Sequence, residues 1–76
     1  MDLETRLLNS SAHTLAAGRA CLQRLRELTA SRALIAAAWI ESERSEIIAV
    51  KDLTPAMLHR AGELQTLAEE FREVGR

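Results

Sequence analysis

Seventy-six residues leave room for one thin domain, because a chain this short hides only about 60% of its unfolded surface. Its 47% hydrophobic and 28% charged residues lie outside the composition of disordered chains, and with Trp39 and Phe71 as the only aromatics the core must be built from Leu, Ile and Ala, which favours helices over sheets. A net charge of −1 argues against an electrostatic grip on nucleic acid, and the longest apolar run, Ala33 to Ile40, is far short of the roughly 20 residues a membrane span needs.

The charge is unevenly spread. Residues 1–39 carry five arginines and three acids, whereas residues 40–76 carry five bases and eight acids, so a weakly basic front precedes an acidic back. A lone Cys21 has no partner for an internal disulfide, and no basic start leads into an apolar export segment. A cytoplasmic location is therefore expected. Nine arginines against one lysine suggest a GC-rich coding sequence of bacterial or phage origin.

The first predicted helix runs over about 3–29. Leu3, Leu7, Leu8, Leu15, Cys21, Leu22, Leu25 and Leu28 form its apolar stripe, with Leu8, Leu15 and Leu22 one heptad apart. Asn9, Ser10 and Ser11 compete for backbone hydrogen bonds and mark a possible kink. Ala12, Ala16 and Ala20, with Gly18 nearby, make a stripe of small side chains against which another helix can pack closely.

Thr29 and Ser31 are candidate N-caps, so a short turn is placed before a second helix over about 32–51. Ala36, Trp39, Ile40, Ile47 and Val50 share a sector of that helix, and Glu43 falls in its middle. Either the helix breaks near Ser42 or Ser45, or Glu43 pairs with an arginine across an interface. Propensity alone would also allow Ile47–Val50 as a strand, but a lone strand has no partner, so the helix is preferred.

The third helix, over about 55–74, has the clearest boundaries. Thr54 is the N-cap, Pro55 occupies the first helical position and Gly75 follows the last apolar residue. Met57, Ala61, Leu64, Ala68 and Phe71 form its buried face. The expected architecture is a single all-α domain spanning 1–76, a small three-helix bundle or a long helical hairpin plus a third helix.

Catalytic constellations are sparse. His13 lies eight residues before Cys21, about 12 Å along one helix, so the two cannot touch, and Cys21 on an apolar stripe acts as a small hydrophobe. His59 and Glu63 have the i,i+4 spacing of a helical metal site, but two ligands are too few, and the pair reads as surface charge. Glu69, Glu70 and Glu73 cluster where the helix dipole disfavours negative charge; Arg72 and Arg76 temper them, and the cluster reads as a solvated face before it reads as a docking patch. No phosphate loop, catalytic carboxylate pair or serine triad pattern occurs. No catalytic residue, metal or cofactor is expected, and no enzyme.

The leading expectation is a non-enzymatic helical module that binds a protein partner as an adaptor, co-chaperone or inhibitor. A homodimer is expected as well, because so short a chain gains little from its own core and a first helix of 27 residues, about 40 Å, would overhang it. Trp39 reads either as core packing, the simpler account, or as an interface anchor. The candidate interface is Ala12, Ala16, Ala20, Trp39, Ile40, Glu43, Ile47 and Val50. The alternative is a DNA-binding helix-turn-helix with Arg44, Lys51 and Arg60 on phosphate, which Glu41, Glu43 and Glu46 oppose by repulsion.

Overall fold

The computed structural model describes residues 2–76, apart from the side chain of Leu25. These residues form three α-helices, α1 (Leu3–Gln23), α2 (Ala30–Ile48) and α3 (Pro55–Val74), a short 3-10 turn over Leu25–Glu27, and no strand.

Asp2 caps α1 by accepting a 2.7 Å hydrogen bond from the Thr5 backbone N–H. Hydrogen bonding from Thr5, its backbone N–H first and its side chain second, holds the Asp2 carboxyl below its ordinary 3.8. The helix is continuous through Asn9, Ser10 and Ser11. Ser11 is tolerated because its buried hydroxyl donates back to the Leu7 carbonyl at 2.7 Å and accepts from Arg60 Nη1 at 2.8 Å.

α1 ends six residues before the expected position. Thr29 is the reason: it adopts an extended conformation (φ −78°, ψ 158°) so that its hydroxyl can accept from Arg32 N–H and start α2. The chain must reverse before that cap, and residues 24–29 do so without glycine or proline. At 21 residues α1 spans about 31 Å, so the overhang that argued for a dimer does not exist.

α2 is unbroken across Ser42 and Ser45, which excludes the first of the two alternatives for this stretch; Ser45 returns its hydroxyl to the Glu41 carbonyl at 3.0 Å. Ile47 and Ile48 belong to the helix, ruling out the strand, and Ala49 closes it three residues earlier than expected. α3 has Thr54 and Pro55 at its start and Gly75 at its end. Gly75 is right-handed (φ −79°), so backbone handedness does not demand glycine there. Space does: a Cβ would lie 2.7 Å from Leu34 Cδ2 and 3.3 Å from the Ala30 carbonyl oxygen.

That contact joins the end of α3 to the start of α2, so the two helices are antiparallel. α1 runs parallel to α3, since Glu4 bonds Thr54 (2.8 Å) near one end and Gly18 meets Leu67 and Phe71 further along. The result is an up-down-up bundle 39 Å long and 15–18 Å thick. Its core is Leu15 of α1, Ala33, Ala37, Ile40 and Ile47 of α2, and Met57, Ala61, Leu64, Leu67, Ala68 and Phe71 of α3. All five residues expected on the buried face of α3 are in it. Ala33, Ala37, Ala61 and Ala68 are the small residues that let α2 and α3 approach, while α1 supplies one core leucine and packs least against α2.

Candidate protein-interaction surface

Polar links between the helices hold the bundle together, and each uses up residues that might otherwise have served as a site. Glu43, half-buried on α2, accepts from the Thr14 hydroxyl at 2.6 Å and lies 3.5 Å from the Ser10 hydroxyl. It is thus explained within the chain by hydroxyls rather than by an arginine across an interface. Arg60 of α3 donates to the Leu8 carbonyl at 2.5 Å and to Ser11, and its Nε meets Glu63 at 3.2 Å. An arginine so committed is not free for a phosphate. Arg72 clamps Glu41 in a two-pronged ion pair between α3 and α2.

Glu63 gathers Arg60, Arg19 (3.4 Å) and His59 (3.7 Å). Burial is the largest single influence on its carboxyl and pushes the pKa up, but hydrogen bonds from Arg60 and Arg19, with the charges of His59 and Arg60, outweigh it and bring the pKa below its ordinary 4.5. Two guanidinium groups therefore occupy the carboxylate of the His59–Glu63 pair. Among the described residues no three His, Cys, Asp or Glu side chains gather as metal ligands would. His13 is exposed. Of the terminal acids, Glu69 accepts from Gln65 and Glu73 pairs with Arg76, within exposed helix surface.

The eight expected interface residues do not share one surface. Ile40 and Ile47 are core, Val50 packs half-buried against it, and Glu43 is tied to α1. Ala12, Ala16 and Ala20 are exposed on α1; among the described residues no helix packs on this stripe. Trp39 faces out, with 74% of its surface in water, which overturns core packing for this side chain. Ile35, one turn away at i−4 and 57% exposed, stands beside it. Sequence periodicity missed Ile35 because it sits in an unbroken apolar run, where no polar residue marks which flank is outside.

Where α1 diverges from α2, a cleft of about 470 Å³ opens between Ala17, Ala20, Cys21 and Arg24 on one side and Arg32 and Ala36 on the other. Cys21 is half-buried in its wall. Arg32 connects the cleft to the Trp39 face.

The class defined is an all-helical three-helix protein with a solvent-facing apolar strip on α2. The chain matches no family model, and no curated protein or solved structure is significantly similar to it. No helix among the described residues is long and apolar enough to cross a membrane.

Proposed function

We propose that the chain is a small helical protein-interaction module, of bacterial or phage origin and acting in the cytoplasm, that works without catalysis as an adaptor, co-chaperone or inhibitor. The outer face of α2 around Trp39 is its binding surface. The observation that carries this reading is the 74% exposure of Trp39 in the middle of a regular helix, with Ile35 beside it. An indole left in water forgoes one of the largest burial gains a side chain can make, and tryptophan is the residue most enriched among energetic anchors of interfaces.

A photo-crosslinking amino acid placed at position 35 or 39 in host cells tests the reading, with exposed His13 on α1 as the control position. Discrete protein adducts from 35 and 39 that are absent from 13 are the expected result. Identical patterns at all three positions, or none at 35 and 39, would overturn it.

A further inference from the structure

The Trp39 face of α2 carries a charge pattern that matches itself. Arg32 and Glu46 lie seven residues before and after Trp39, and all three are exposed. Seven residues are nearly two full turns, so Arg32, Trp39 and Glu46 form one line along the helix, each charge about 10.5 Å from the indole's position with a drift of about 20°. Neither charge is used inside the molecule: among the described residues every ion pair belongs to Arg19, His59, Arg60, Arg72 or Arg76 with Glu41, Glu63 or Glu73. The other two acids of this stretch, Glu41 and Glu43, are turned to Arg72 and Thr14.

We infer that this face binds a second copy of the chain, with the two α2 helices antiparallel and related by a two-fold axis at Trp39. In that register Arg32 of each protomer faces the partner's Glu46, twice by symmetry, while the two indoles meet at the centre and each is flanked by the partner's Ile35, one turn from the axis. A parallel pairing brings Arg32 against Arg32 and Glu46 against Glu46, so the charges select the antiparallel form. The exposed strip is short, one face of α2, which places the dimer at the small, reversible end of protein interfaces with a Kd on the order of micromolar. The inference rests on the reading of the α2 face as protein-binding and names the partner.

Sedimentation equilibrium of the full chain, with the emission of its only tryptophan read in parallel, tests it. The wild type is expected to dimerise with a blue shift of Trp39 emission as concentration rises, and Trp39→Ala to weaken dimerisation by about a hundredfold. Arg32→Glu and Glu46→Arg each set like charges opposite each other at both ends and are expected to weaken it at least about tenfold, with helical circular dichroism unchanged. Mixing these two variants restores opposite charges at both ends, so the mixture is expected to regain wild-type affinity as a mixed dimer, and R32E/E46R to dimerise by itself.

A wild type that stays monomeric to about 200 μM, far above the expected Kd, overturns the self-pairing, while crosslinks from position 39 to a different protein would leave the binding face standing. A dimer that Trp39→Ala leaves intact overturns this interface. Loss of the dimer in both charge variants without recovery on mixing overturns the antiparallel register.

Discussion

The Glu43 carboxylate on α2 accepts a 2.6 Å hydrogen bond from the Thr14 hydroxyl on α1, joining two helices that pack only lightly against each other. The acid that interrupts the apolar sector of α2 is thereby part of the fold. Glu43→Ala is expected to lower stability by about 1–2 kcal/mol in urea unfolding, and a double-mutant cycle with Thr14→Val to show a coupling of about 1 kcal/mol. Strict additivity would show that the bond contributes nothing.

Arg60 links α3 to the Leu8 carbonyl and Ser11 hydroxyl of α1 while pairing with Glu63. Its side chain is 21% exposed, so its loss strands partly buried acceptors. Arg60→Ala is expected to cost about 2–3 kcal/mol, and Arg60→Lys to recover only part of that, because an ammonium cannot reproduce the planar fork. Chemical denaturation of both variants measures the difference.

Two helical glycines are expected to respond in opposite directions. A Cβ at Gly62 meets nothing within 4 Å, so Gly62→Ala should gain about 0.5–1 kcal/mol of helix propensity and raise Tm by a few degrees. At Gly18 a Cβ lies 2.6 Å from Leu67 Cδ2 and 3.4 Å from Phe71 Cε2, both in the core. Gly18→Val should therefore lower stability by about 1–3 kcal/mol through overpacking, despite removing a glycine from a helix. Thermal melts that ranked the two variants the other way would contradict the packing of α1 on α3.

Glu63 also sets an acid limit. Its folded pKa lies below the ordinary 4.5, so the unfolded chain takes up the proton first and the stabilisation it provides is complete above 4.5. That stabilisation disappears as the pH falls through the folded value. The stability gap between wild type and Glu63→Gln is expected to be open at neutral pH and to close on acidification below 4.5, as measured by denaturant midpoints across the range.

Much of α3 is legible in the sequence, because Thr54, Pro55 and a five-residue apolar face act locally and all agree. The end of α1 is not. No glycine or proline marks it, and what stops the helix is the extended backbone that Thr29 needs to cap the next one. Ser11 and Ser45 did not break their helices: each returns its hydroxyl to a carbonyl one turn back, a satisfaction that residue type does not reveal. Ala12, Ala16 and Ala20 of α1 stay exposed, and the buried small residues at the helix contacts are alanines of α2 and α3.

What the sequence by itself determined is the helical class, the cap of the third helix and the residues that share each helix face, all consequences of local propensity and a 3.6-residue period. Which part of an apolar sector is inside was decided only by tertiary packing. In α2 the apolar residues extend around more of the helix than one neighbour can cover. The alanines at 33 and 37 are buried on the side of α3, and α1 packs lightly on α2, with Thr14 bonded to Glu43. Ile40 and Ile47 are consequently enclosed, and Trp39, with Arg32 and Glu46 in line with it, is left in solvent.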